Sequence, residues 1–250
     1  MALRQFTRSG IALAMCLTAL VDTAYAGVWD DPSNLKVLPQ DISPNELRWT
    51  MRSFATDTGS MCSDCHVAED PENFRTFDFP PDDKEKKRKA RLMIKMVNDI
   101  NAYLAKSLGK PADEPVTVNC GTCHRGQAKP LMIQDVLERA YREGSFENAV
   151  ELYRKLRERY YGGYTYDFSE EALTILAERL SDQGDPDGAL QFLDFNLIWY
   201  PDSVRTVSLE GQVLITKGDK PGAREQYLKA LEMDPGNKWV LFLLDRLDED

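Results

Sequence analysis

The sequence predicts a mostly α-helical chain in two parts, a loop-rich first domain followed by an α-helical solenoid. Three observations predict it: a 34-residue period in the second half, two amphipathic helical stretches in the first half, and all the mature cysteines and histidines gathered in two short motifs. The chain has 250 residues, 42% hydrophobic and 29% charged, enough for one or two domains with real cores. Its formal charge is -10, from 31 basic and 41 acidic side chains. Such an acidic chain is unsuited to a phosphate backbone, so no nucleic-acid partner is expected.

The first element is a leader, residues 1–26. Arg4 and Arg8 precede an apolar run from Ile11 to Val21, and Ala24-Tyr25-Ala26 supplies a small-x-small cleavage pattern, with the cut expected before Gly27. The run has 11 residues, whereas a spanning helix takes about 20, so the protein is not expected to be transmembrane. A lipoprotein reading at Cys16 competes, but Met15 stands where a small residue is wanted. Either reading exports the chain, to the periplasm or beyond the cell.

The next element, residues 27–130, carries the chemistry. Once the leader is removed the cysteines are Cys62, Cys65, Cys120 and Cys123, and the histidines are His66 and His124. They form Cys62-Ser63-Asp64-Cys65-His66 and Cys120-Gly121-Thr122-Cys123-His124. C-x-x-C-H is the attachment pattern of a c-type haem: two thiols on one helical turn form thioethers, and the adjoining imidazole reaches the iron. A thioredoxin-like pair would need a βαβ context, and a four-cysteine zinc site would leave both histidines coincidental. Two covalently bound haem c groups are therefore expected.

The sixth iron ligands follow from what remains. Both histidines are spent on the proximal side, and methionine is the usual alternative. Ser43-Pro44-Asn45-Glu46 opens a capped helix on which Leu47, Met51 and Phe54 share a face, 11 residues ahead of Cys62. A second helix, from about Lys84 to Ala105, puts Leu92, Met96, Ile100 and Tyr103 on one stripe ahead of Cys120. The Leu-x3-Met arrangement thus occurs twice, making Met51 and Met96 the candidate ligands. Methionines also simply pack; Met93 and Met132 rival Met96, and Met61 sits too close to Cys62.

Several stretches resemble one family. They are Asn34-Leu35-Lys36-Val37-Leu38-Pro39, the Met51 helix, Thr76-Phe77-Asp78-Phe79, Ala90-Arg91-Leu92-Met93-Ile94-Lys95-Met96 with Asp99-Ile100-Asn101, and Cys123-His124-Arg125-Gly126-Gln127. Over roughly residues 30–130 the chain is similar to the cytochrome c subunit of photosynthetic reaction centres. The resemblance implies a methionine-bearing helix, a loop and a C-x-x-C-H, used twice, with Met51 paired to His66 and Met96 to His124. That subunit carries two such pairs and typically four haems. Here there is one pair, so docking to a reaction centre is not implied.

The last element, residues 131–250, is the solenoid. Ala189 and Ala223 are 34 residues apart, and so are Pro201 and Pro235. Gly211, Leu214, Ala223, Tyr227, Ala230 and Pro235 fit a tetratricopeptide repeat, Leu176, Ala177, Ala189 and Pro201 the one before, and Gly144, Ala149 and Tyr153 an earlier one. Ala149 to Ala189 is 40 residues, so about six extra lie within 160–166, and 238–247 forms a closing helix. Such arrays bind partner proteins on a concave face. Docking to a membrane complex, self-association and packing on the first domain are the roles open to it. This part holds 14 basic and 24 acidic residues, against 15 and 16 in residues 27–130. The run Lys84, Lys86, Lys87, Arg88, Lys89, Arg91 and Lys95 is either a solvated helix face or a surface that steers an acidic redox partner.

These readings describe an electron carrier, relaying single electrons between redox partner proteins, with no catalytic residue assigned. A dihaem peroxidase-like enzyme or gas sensor with one open iron is the alternative, disfavoured because no third histidine exists as a distal acid. A polymeric conducting cytochrome assembly is a further one.

Overall fold

A computed structural model describes residues 26–108 and 116–249. Residues 1–25, all but the last of the expected leader, lie outside the described residues. The described chain is mostly helical, as expected: α1 (Ala26–Asp30), α2 (Pro44–Thr58), α3 (Cys62–Cys65), α4 (Glu85–Ser107), α5 (Cys120–His124), α6 (Ile133–Glu143), α7 (Phe146–Tyr160), α8 (Glu170–Asp182), α9 (Pro186–Trp199), α10 (Val204–Thr216), α11 (Lys220–Met233) and α12 (Lys238–Glu249). No helix among the described residues is long and apolar enough to cross a membrane. The described chain divides into two compact units, one holding 26–53 and 61–96, the other 54–60, 97–108 and 116–249.

In the first unit α2 begins as its sequence dictates. The backbone N–H and hydroxyl of Ser43 donate to Glu46 Oε2 at 3.0 and 2.7 Å, the Glu46 N–H donates back to Ser43 Oγ at 3.3 Å, and Pro44 takes the first helical position, where no N–H is missed. Two short strands, β1 (Val67–Ala68) and β2 (Phe77–Asp78), pair antiparallel, with Val67 opposite Asp78 and Ala68 opposite Phe77. They fold the segment after α3 back on itself, and the rings of Phe74, Phe77 and Phe79 gather with Trp29 at centroid separations of 5.2–6.4 Å.

Asp82 ties this unit together. Its carboxylate meets Lys36 at 2.6 Å, Arg91 at 2.5 Å and Lys87 at 3.5 Å, and accepts from Asn34 Nδ2 at 3.0 Å. Hydrogen bonds from Lys36 and Arg91 hold its carboxyl far below the usual carboxylate range. The cationic run is largely engaged inside the chain: Lys86 bonds Asp64 at 2.7 Å, Lys89 bonds Glu85 at 2.8 Å, and Arg88 donates to the carbonyls of Asp82 and Asp83.

The second unit contains the helical array. α8 and α10 start 34 residues apart, as do α9 and α11, whereas α7 and α9 start 40 apart, the offset the sequence predicts. Asp185 and Asp219 cap α9 and α11 through bonds to the Gly188 and Gly222 N–H groups, so the period is written in capping residues as well as in the core. Leu137, Tyr153, Leu173, Leu176, Leu180, Phe192 and Leu193 form one buried cluster, and Val207, Ala223, Tyr227, Ala230 and Val240 a second. Buried Asn196 donates to the Glu170 carbonyl and to Thr206 Oγ1, both at 2.9 Å, linking three helices. The extra residues between α7 and α8 are held by Arg157, whose guanidinium lies 4.0 Å from the Tyr161 ring centre and 4.4 Å from that of Trp199.

Candidate metal centre

Each C-x-x-C-H motif forms a short helical turn, with His66 just after α3 and His124 as the last residue of α5, because three-residue spacing brings both thiols to one side of a turn. In the first motif the Met61 N–H donates to Asp64 Oδ2 at 3.0 Å, which caps α3. The Lys86 ammonium beside Asp64 keeps its carboxyl below the ordinary range. Cys62 is exposed and Cys65 half-buried, and burial pushes the Cys65 thiol up. In the second motif Asn119 caps α5 by accepting from the Thr122 N–H at 2.9 Å, and Thr122 Oγ1 accepts from the Asn119 N–H at 3.0 Å. Cys120 is half-buried, with its thiol pushed up by burial, and Cys123 is exposed.

The histidines are held alike. His66 Nδ1 lies 3.1 Å from the Phe79 carbonyl oxygen, and His124 Nδ1 lies 2.7 Å from that of Gln127. A carbonyl only accepts, so Nδ1 carries a proton in both rings and Nε2 is the nitrogen left for a metal. This is the orientation a metal-bound imidazole needs, with its other nitrogen fixed by an outer partner. Burial first, and the Lys87 charge second, hold the His66 imidazole below its ordinary pKa and therefore neutral. The Phe79 ring stands edge-on to His66 at 5.0 Å.

The second motif is also gripped from behind. Arg125 and Gly126 adopt left-handed backbone conformations, φ 48° and 81°, and the Gly126 N–H donates to the Asp57 carbonyl at 2.8 Å. Gly59, at φ 60°, approaches so closely that a β-carbon there would stand 2.1 Å from the Gly126 oxygen. Gln127 Oε1 accepts from the Tyr166 hydroxyl at 2.5 Å.

The candidate sixth ligands lie on the helices foreseen. Met51 is half-buried on α2, in the same unit as His66. Met96 lies on α4 in the first unit, and His124 belongs to the second. Met96 is 44% exposed and Met93 42%, so neither packs in a protein core, and Leu92 at 63% continues this open apolar face. Met132 is engaged elsewhere: its sulfur accepts from Arg125 Nη2 at 3.1 Å. Among the described residues no group of three or more Cys, His, Asp and Glu surrounds a metal position as a zinc site would require.

These residues fit covalent haem: thiols paired on a turn, imidazoles whose Nδ1 is held by a carbonyl so that Nε2 is the nitrogen left for a metal, and apolar helix faces bearing thioethers. What sequence reasoning missed are the two carbonyl acceptors and Lys87, since a backbone carbonyl leaves no trace in residue type. A family model described as the photosynthetic reaction centre cytochrome C subunit matches residues 21–150, a stretch that includes both motifs and runs past residue 130 into α7. No curated protein matches the chain.

Proposed function

We propose, from the premise that this chain belongs to the photosynthetic reaction centre cytochrome C subunit family, that it is an exported c-type cytochrome carrying two haems and relaying single electrons between redox partner proteins. The observation that carries this reading is that each motif histidine, directly after its C-x-x-C pair, turns Nδ1 to a backbone carbonyl and so leaves Nε2 as the nitrogen available to a metal.

When bound, haem supplies one-electron chemistry at an iron whose potential responds to its ligands and their hydrogen bonds. Cys62 and Cys65 would anchor the first group and Cys120 and Cys123 the second. His66 and His124 would each hold one iron in this reading, with Met51 and Met96 as the second protein ligands, and irons held by two side chains each would favour electron transfer over substrate binding. Residues 27–130 form the haem-bearing region, and residues 131–250 a tetratricopeptide module that docks partners; the 34-residue register of α8 to α11 supports that assignment.

The test is a potentiometric titration of the mature holoprotein, with haem counted as the pyridine haemochrome and carbon monoxide added after reduction. Two covalent low-spin haems that bind no carbon monoxide are expected. One open iron that takes carbon monoxide would replace the relay with an enzyme or gas sensor.

A further inference from the structure

The Phe79 carbonyl serves two donors. It accepts from His66 Nδ1 at 3.1 Å and from the Lys87 ammonium at 2.6 Å. Lys87 also donates to the carbonyls of Pro80 at 3.0 Å and Pro81 at 2.8 Å, and its side chain is only 12% exposed. The ammonium is therefore caged by three carbonyls, one of which it shares with His66. Asp82 offsets its charge only in part, standing 3.5 Å away and closer to Lys36 and Arg91.

The second motif lacks this arrangement. His124 Nδ1 lies 2.7 Å from the Gln127 carbonyl, and among the described residues no lysine or arginine nitrogen donates to that oxygen. The neighbouring contact on Gln127 is the neutral Tyr166 hydroxyl, on its side chain.

We propose that Lys87 is a positioning residue that sets the reduction potential at the His66 iron above that at the His124 iron. Two effects act in the same direction. A carbonyl that shares its lone pairs with an ammonium accepts less strongly from Nδ1–H, so the imidazole gives less electron density to the metal. The ammonium's own charge also opposes the additional positive charge of oxidised iron, in a site where burial weakens screening. Electrons entering at the second motif then run downhill to the first.

The inference rests on the two-haem reading, and its test separates the two. Both midpoint potentials are measured in the full-length holoprotein, resolved haem by haem by proton NMR, for wild type, Lys87→Met and Lys87→Arg. In Lys87→Met the His66 potential falls toward that of His124, which stays unchanged, and the His66 Nδ1–H resonance of the reduced protein moves downfield as its bond to Phe79 strengthens. Lys87→Arg keeps most of the separation. Lys87→Gln, which keeps a donor without the charge, carries the same expectation as Lys87→Met should that variant fail to fold. An unmoved His66 potential, or an equal shift at both irons, overturns the assignment to Lys87. A wild-type protein without two covalent haems overturns the underlying reading instead.

Discussion

Gly211 faces the ring of Tyr227 at a separation only glycine permits: a β-carbon at this position would stand 2.4 Å from Cε1 and 2.7 Å from Cδ1. Tyr227 is 2% exposed, so the ring has no room to retreat, and α10 closes on α11 through this contact. Gly211→Ala is expected to destabilise the array by about 1–3 kcal/mol. Denaturant unfolding followed by circular dichroism measures it; wild-type stability in the variant would mean that the two helices close differently.

A second close approach holds the other end of the same unit. Gly59 combines a left-handed backbone with the 2.1 Å clash that a β-carbon would make with the Gly126 carbonyl oxygen. Gly59→Ala should lower stability by roughly 2 kcal/mol or more, since strain and collision add. Differential scanning calorimetry would detect the loss, and an unchanged Tm would show that the backbones are not in contact.

Glu210 on α10 is 5% exposed, and its Oε1 has no hydrogen-bond partner. Burial, reinforced by the charge of Asp194, raises its pKa to about 7, from an ordinary 4.5. Between these values the folded chain keeps a proton that the unfolded chain releases. The stabilising contribution is thus fully present below about pH 4.5 and lost as pH rises through 7, a change of at most about 3 kcal/mol. Glu210→Gln should flatten that part of the stability profile between pH 5 and 8 relative to wild type. Parallel profiles for the two proteins would contradict this.

The methionine assignments separate cleanly by substitution. With sixth ligands removed singly, Met51→Ala and Met96→Ala should each take up one carbon monoxide per reduced chain, and the double variant two. Met93→Ala should take up none. Binding in Met93→Ala and not in Met96→Ala would move the ligand by one helical turn.

The parts legible in the sequence are those where residue type is scarce or repeats. Two histidines and the four cysteines beyond residue 26 could be placed because nothing competed with them. Ser43 and Glu46 announced the start of α2 because a capping box needs those side chains. The 34-residue period set the spacing of α8 to α11 because each helix pair buries the same positions against its neighbour. The lysine-rich run was readable in part: Lys84, Lys86, Arg88, Lys89 and Lys95 are exposed, as on a solvated helix face, with Asp82 and Glu85 among the neighbouring charges that bond the run, but the cage around Lys87 was not. The partners of Lys87 are backbone oxygens, and a backbone oxygen belongs equally to any residue.

The surplus residues between α7 and α8 interrupt an otherwise even array, yet Arg157 grips them through Tyr161, and Tyr166 among them bonds Gln127, the residue whose carbonyl holds His124. A perfectly regular solenoid would offer no such arm. The irregularity is the point at which a periodic scaffold is fastened to the non-periodic loop that carries His124. Deleting those residues to restore the period would tidy the repeat and uncouple the machine.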